Sequence, residues 1–347
     1  MSAGFGKRLL PFTSIVPKPL LPCMGVPPLL LNIHQLRGYE VQDIAINTHH
    51  LADRIEAALP TELGVRIFHE PNLLGTVGFA QNIVDWAEDA HILVYNADVV
   101  SDIDFAALQA THFDANAYAT LMLLPNPTPN QTCLYTDDQH IVGISLGKRT
   151  TAHNLPPAAT LNPPPSDALN PPPSDALNPP PPKPPVPAHQ RQQAFGYACA
   201  QIWSPAFLRD VRRYQCRELS DALQQALEHS KPLAYHIHTG LWHDLGTPST
   251  ILRAHNQLLK RLKSDPEYLG IAKLINAPMT ITDTDIRIGS PYVDRNCQLQ
   301  PPNYLLHPDI SIAAGARLHN CLIWGKTRVT GRHANALLMG HRCLTSA

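Results

Sequence analysis

The chain has 347 residues, 44% of them hydrophobic, and a formal charge of -1 from 27 basic against 28 acidic residues. That is enough apolar material for one large domain plus an appendage, and too little net charge to draw nucleic acid or an anionic membrane through an overall field. Seven cysteines without a CxxC pair argue against a disulfide framework and a zinc ribbon, and no apolar run approaches the roughly 20 residues of a membrane span, so a soluble, cytoplasmic protein is expected.

The first element is irregular. The stretch SAGFGKRLLPFTSIVPKPL, residues 2–20, sets Gly4 and Gly6 around a bend, follows them with Lys7 and Arg8, and holds Lys18 between Pro17 and Pro19. Glycines without Cβ atoms let consecutive backbone N–H groups converge on an anion, Arg8 offers a planar fork for phosphate, and Lys18 a compact ammonium. A dinucleotide fingerprint fails because Leu9 stands where a third glycine belongs, and a Walker A loop fails because Lys7 is followed by Arg8. By composition alone the segment also reads as an ordinary solvated loop.

Apolar runs then alternate with helical patterns. VQDIAINTHH and HILVYNADVV read as buried strands, LADRIEAAL and GFAQNIVDWAED as helices between them, which predicts an α/β fold with a parallel sheet. Residues 161–188 contain a tandem LNPPPSDA octapeptide that cannot build a core; it reads as an inserted polyproline-type loop, either a ligand for a proline-binding module or repeat-generated filler. Past it, AFGYACAQIW is predicted as a strand, ELSDALQQALEHS as a helix with a cap available at Ser220, and TPSTILRAHNQLLKRLKS as a helix with Pro248 in its first turn.

From about residue 281 the pattern changes. Apolar residues six apart at Ile312 and Leu318, and again at Ile323 and Val329, suggest hexapeptide turns of a parallel β-helix. The phase shifts between Leu318 and Ile323, so an irregular set of short strands remains the alternative.

The order A-G-x-G-x-R-L-x-P-x-T, then P-K-P-L, resembles the signature of the sugar-1-phosphate nucleotidyltransferases. Three more segments match in that family's order: EPNLLGTVG, YNADVVSDIDF and GLWHDLGTPSTILRAH. The wording is most similar to N-acetylmuramate-1-phosphate uridylyltransferases and to mannose- or heptose-1-phosphate guanylyltransferases. The resemblance implies a Rossmann-like (GT-A-like) mixed sheet over residues 1–265, interrupted by the proline-rich insertion at 155–192, with a short hexapeptide-type left-handed β-helix tail at 281–347.

It also implies roles. Ala3, Gly4 and Gly6 would touch the nucleotide, with Glu70, Gly75 and Thr76 in the base loop. Arg8 would hold the triphosphate and Lys18 the reacting phosphates. Asn96 would hydrogen-bond the sugar, and Asp98 and Asp244 would hold Mg²⁺. The partners would be an NTP and a sugar 1-phosphate, with no nucleic acid or membrane and possible homo-oligomerisation through the tail. Read without the family, Asp98 and Asp244 are also plausible turn caps, with Asp102 and Asp104 the stronger cap candidates. His49, His50, His236, His238 and His243 show no ligand spacing and are expected in surface or satisfied core roles.

Some positions depart from the family pattern. Lys7 stands at the usual Thr or Ser, Ala97 at the middle glycine of N-G-D, and Val77 where a small residue is usual and where it is expected to crowd the base. No E-K-P element is evident; Lys148 or Arg149 is the nearest substitute. The family loop follows a complete strand, whereas here Met1 directly precedes it, so a first central strand is expected to be absent. A chain that keeps the fold as a catalytically impaired binding or assembly protein is therefore the alternative to an enzyme of cell-envelope sugar activation.

Overall fold

The computed structural model describes residues 2–127, 132–145, 193–275, 277–282 and 285–346. The proline repeat, Lys148 and Arg149 lie outside these residues. Strand β1 (Ile44–Thr48) pairs in parallel with β2 (Val65–His69), with α1 (Pro28–Gly38) before and α2 (Ala52–Ala57) between them. After α3 (Ala80–Ala87) the run predicted as one strand divides into β3 (Ile92–Tyr95) and β4 (Val99–Ser101). The chain turns there, the Asn96 C=O accepting from the Val99 N–H at 3.4 Å.

Helix α4 (Phe105–Asp114) follows, capped by Asp104, whose carboxylate accepts from the Ala107 N–H at 3.0 Å. Next come β5 (Ala119–Leu124), β6 (Cys133–Thr136), β7 (Ile141–Ser145) and the long β8 (Gln193–Trp203). Ser204 and Pro205 open α5 (Pro205–Arg213), a Ser cap followed by proline at the first helical position. Then come α6 (Leu219–Glu228), β9 (Leu233–Ile237), β10 (Trp242–Asp244) and α7 (Pro248–Ser264). Thr247 and Thr250 form a reciprocal capping box at the start of α7.

The sheet order is β7-β6-β8-β5-β9, with β3 on β8. It is mixed, which corrects the parallel expectation drawn from alternation. β5 and β9 run parallel, but β8 runs antiparallel to β3, β5 and β6; antiparallel neighbours need no helical crossover, so a helix-by-helix reading does not register them. Both faces of the sheet are covered. Val94, Leu121, Phe195 and Trp203 pack with residues of α3, α5 and α6, and Tyr95, Met122, Ala200 and Ile202 with α4.

Among the described residues β1 pairs only with β2, and β3 only with β8. An open lane of about 480 Å³ runs between them, flanked by α1, α3 and α4.

The C-terminal part is β-rich: β11 (Met279–Ile281), β12 (Asp285–Ile288), β13 (Tyr292–Val293), β14 (Gln298–Leu305), β15 (Ser311–Ile312), β16 (Arg317–Trp324), β17 (Arg328–Val329), β18 (Arg332–Ala334), β19 (Ala336–Met339) and β20 (Arg342–Thr345). β12, β14, β16 and then β18 and β19 pair in parallel, and β13-β15-β17 make a second parallel ladder. Ile312, Leu318, Ile323 and Val329, the periodic set, are buried together. Two stacked parallel ladders are compatible with a β-helix tail. The phase shift has a local cause: the β14–β16 register slips between Gln300 and Asn303, where the Asn303 side chain accepts from the Cys321 N–H at 3.1 Å.

The tail shares a core with the rest of the chain. Tyr304, Trp324 and Leu337 pack with Phe12, Met24 and the α7 residues Leu258 and Leu262. The Trp324 ring stands edge-on to Phe12 at 5.7 Å, and its N–H donates to the Pro22 C=O at 2.9 Å.

Candidate active site

Residues 2–20 fold as linked 3₁₀ turns at Lys7–Leu9, Phe12–Ser14 and Lys18–Leu20. Leu9 and Phe12 are fully buried and anchor the loop, while Gly4, Lys7 and Arg8 stay exposed. Gly6 takes φ +61°, and a Cβ there would stand 2.8 Å from Thr13 Cγ2 and 3.2 Å from Lys18 Cβ. The bend therefore requires glycine for both conformation and space. Its carbonyl accepts from the Leu9 N–H at 2.9 Å and from the Thr13 hydroxyl at 3.0 Å. His50 Nε2 contacts the Thr13 C=O at 2.7 Å. Thr13 and His50 thus brace the glycine bend, roles that the sequence reading did not assign although Thr13 stands inside the quoted motif.

Asp98 and Asp244 are 146 residues apart in number yet adjacent in space, because β10 pairs antiparallel with β4 and sets Asp244 opposite Val99. The Leu245 N–H donates to the Asp98 C=O at 3.1 Å, extending that ladder to the aspartate itself. Lys18 closes the arrangement: its Nζ lies 2.5 Å from Asp98 Oδ2 and 2.8 Å from Asp244 Oδ1. Arg8 Nη2 stands 3.8 Å from Asp244 Oδ2, with most of its side chain in solvent. Gly246 makes room here, since a Cβ would come within 2.6 Å of Arg8 Nη2.

Burial disfavours the Lys18 ammonium, but the charges of Asp98 and Asp244, with hydrogen bonds to both carboxylates, outweigh it and hold the pKa above the usual 10.5. The lysine is a fixed cation between two carboxylates. Asn96 lies beside them; its Oδ1 is buried with no hydrogen-bond partner among the described residues, an acceptor left open. An unpaired buried acceptor is costly and suits a ligand hydroxyl.

The loop after β2 is organised differently from expectation. Glu70 is fully buried, its carboxylate accepting from Asn47 Nδ2 at 2.7 Å and from the Leu74 N–H at 2.9 Å. These two bonds brace the loop from within. Gly75 takes φ +98° against Arg217, whose carbonyl would lie 2.4 Å from a Cβ. The Thr76 hydroxyl accepts from the Leu219 N–H at 2.7 Å and donates to Glu218 at 3.1 Å. Thr76 therefore caps α6, whose N-cap residue is Glu218, and Ser220 falls inside the first turn instead of capping it. Arg217, unassigned from sequence, donates to the carbonyls of Leu73 and Leu74 and fixes the loop. Val77 is fully buried in the core beneath α3, so it does not crowd the open side of the loop.

Among the other candidates, Ala3 is buried and Ala97 is tucked into the core of α1 and β1. Lys7 lies over the Phe5 ring at 5.6 Å. Asp102 accepts from the Tyr268 hydroxyl at 2.6 Å. The histidines hold satisfied positions: His49 contacts the Glu70 C=O, His236 the Thr111 hydroxyl, His238 the Leu241 C=O and His243 the Gln257 side chain. Among the described residues no three or more His, Cys, Asp or Glu side chains group as a metal cluster. The two carboxylates nevertheless reach one common point, now marked by Lys18 Nζ, and hard oxygen donors paired in this way fit Mg²⁺ completed by phosphate and water. No helix in the described residues is long and apolar enough to cross a membrane.

Residues 1–133 match the family model described as "Nucleotidyl transferase". N-acetylmuramate alpha-1-phosphate uridylyltransferase of Neisseria meningitidis serogroup B is 35% identical over 137 residues, covering 38% of this chain and 59% of that protein. The match thus spans under two thirds of that relative's length. Mannose-1-phosphate guanylyltransferase of Mycobacterium tuberculosis is 24% identical over 339 residues, covering 94% of this chain and 79% of that protein. A crystal structure of a Bacillus anthracis protein assigned as a glucose-1-phosphate thymidylyltransferase, solved with sucrose, covers 74% of this chain and 92% of its own with a TM-score of 0.54. At 17% identity it bears on the fold alone. Over residues 1–133 the chain is thus similar to nucleotidyl transferases, the relatives matched there including a sugar-1-phosphate uridylyltransferase and a guanylyltransferase.

Proposed function

We propose that the chain transfers a nucleotidyl group from an NTP to a sugar 1-phosphate, releasing pyrophosphate and forming an NDP-sugar. The observation that carries this reading is Lys18 Nζ within 2.8 Å of both Asp98 and Asp244, directly behind the glycine bend at Gly6. A sugar-phosphate oxygen would attack the α-phosphorus in line as the bond to pyrophosphate breaks. The nucleophile is already an anion, so no general base is required. The protein's task is to hold two repelling anions in register and neutralise them.

Exposed backbone at Gly4 and the free reach of Arg8 suit the triphosphate, Lys18 the reacting phosphates, and Asn96 Oδ1 a sugar hydroxyl. Asp98 and Asp244 would hold Mg²⁺, which supplies charge neutralisation and template chemistry when bound. UTP is the first choice of donor and GTP the second, following the relatives' names. The product would serve cell-envelope sugar activation in the cytoplasm, and the tail, read as a short left-handed β-helix of hexapeptide turns, would join copies of the chain.

A second reading, a protein that binds these ligands without turnover, is favoured by the open lane beside β1 and β3. Pyrophosphate release from a panel of NTPs with sugar 1-phosphates and Mg²⁺ separates the two. Turnover requiring both substrates is the expected result. Saturable nucleotide binding without pyrophosphate from any pair would favour the second reading.

A further inference from the structure

The tail carries a charge asymmetry that the aspartate site does not use. Past Asp309 the chain has no Asp or Glu, yet it holds Arg317, Lys326, Arg328, Arg332 and Arg342. The parallel ladders sort the tail's surface into faces. One, with Tyr304, Leu322, Trp324 and Leu337, is seated on α7 and the opening loop. Another is formed by residues 298–300, 317–319 and 332–334. It turns Leu299 and Leu318 into the tail core and leaves Gln298, Gln300, Arg317, His319 and Arg332 exposed, lining a groove of about 350 Å³.

Strand register decides what this groove presents. Gln298, Arg317 and Arg332 stand in one row across three parallel strands, with Gln300 and His319 in the next. Neighbours in such a row are about 4.8 Å apart, so the two arginine stems rise side by side. The corner beyond them is fixed, because Asn320 and Asn335 both take φ +48° and Asn320 Nδ2 donates to Asn335 Oδ1 at 2.8 Å. Like charges set opposite each other in a sheet destabilise it. The ion pairs among the described residues include neither arginine.

Two adjacent guanidinium groups on a held frame call for an anion of matching charge. A carboxylate brings one negative charge and two oxygens, which a single planar fork already saturates. A phosphate group brings close to two charges and three acceptor oxygens, enough for both forks and for a glutamine N–H at the end of the row. The paired cations are also confined to this row, since Arg328 stands on the separate β15–β17 ladder and Arg342 on β20. That favours a compact anion over a long one.

We propose that this groove binds the phosphate group of a small phosphorylated molecule, gripped between Arg317 and Arg332 with Gln298 beside them. None of these residues belongs to the aspartate centre, and the proposal does not depend on the activity assigned there.

The test follows the side-chain Nε–H resonances of Arg317 and Arg332 in the full chain, which report this groove even while Arg8 and Lys18 meet phosphate elsewhere. Inorganic phosphate and ribose 5-phosphate are each expected to shift both resonances saturably in about 0.15 M NaCl, and acetate is expected to shift neither. Arg317→Gln should weaken the response of Arg332 at least ~10-fold, and Arg332→Gln that of Arg317, with thermal midpoints kept, while Arg328→Gln leaves both responses unchanged. Equal responses to phosphate and acetate, or a parent-like response of Arg332 after Arg317→Gln, would overturn the proposal. So would saturation by inorganic phosphate alone, which marks a groove closed to esters, or by a single-stranded oligonucleotide alone, which marks a polymer surface.

Discussion

Lys18 carries more of the site than any other side chain, because it holds together two carboxylates that would otherwise repel. Its replacement by methionine leaves Asp98 and Asp244 facing each other without their ammonium. As both carboxylates are partly exposed, at 24% and 36%, the expected cost is about 2 kcal/mol in urea unfolding, less than for a fully buried pair. That loss should shrink when Mg²⁺ is added, a comparison that tests the carboxylate pair as a cation site without reference to turnover. His255 sets a pH dependence of another kind. It is fully buried, with Nδ1 donating to the Ile251 C=O and Nε2 accepting from the Met24 N–H, and burial lowers its pKa to about 4 from the ordinary 6.5. The unfolded chain therefore binds the proton more readily than the folded one. The stabilisation is complete above about pH 6.5 and is lost as pH falls toward 4, on the order of 3 kcal/mol. Equilibrium unfolding of His255→Gln across that window should show a flatter slope than the parent.

At the scale of elements, the antiparallel pairing of β4 with β10 turns two remote aspartates into one site. Either strand alone would present an ordinary turn carboxylate. The loop from Glu70 to Gly78 is a second such device, since Gly75 lets it settle against the Arg217 carbonyl and Thr76 caps α6. Gly75→Ala would force a side chain into φ +98° and against that carbonyl; the expected outcome is a loss of about 2 kcal/mol, with faster proteolysis within the loop. Asp98 and Asp244 were legible as a pair only through the order of four motifs, because nothing local distinguishes them from the cap that Asp104 proves to be. Ser220 was misplaced because the partner of the α6 amide comes from Thr76, 143 residues earlier, and composition near a helix start cannot register a tertiary cap. Glu70 and Val77 were assigned to the base loop by position in the motif. Their burial is decided by β2 and α3, which periodicity in so short a segment does not resolve.

The whole molecule is tied together by the contact of the opening loop with the tail. Phe12 buries its ring against Trp324 just beyond the loop that carries Arg8, and α7 packs on both. A boundary near residue 265, drawn from the change of pattern, marks a change of architecture and not a break in the core. Trp324→Ala should therefore cost about 3–5 kcal/mol and destabilise the glycine loop along with the tail, read as a single shifted unfolding transition with weaker nucleotide protection. The tail's periodic residues were visible in the sequence, but its register slip at Asn303 depends on a bond to Cys321, 18 residues on, and its seat on α7 on contacts across more than 40 residues. The mixed sheet was legible only through the family resemblance; alternation alone gave a parallel one, because β8 joins the sheet beyond the proline-rich segment.

The most direct measurement is the pyrophosphate release rate of the parent chain beside Asp98→Asn and Asp244→Asn, under saturating NTP, sugar 1-phosphate and Mg²⁺. If the two carboxylates and Lys18 form one reacting centre, each substitution lowers the rate by at least ~10²-fold and the double variant loses little more. Rates unchanged in either single variant, or losses that simply multiply in the double, would contradict a shared centre.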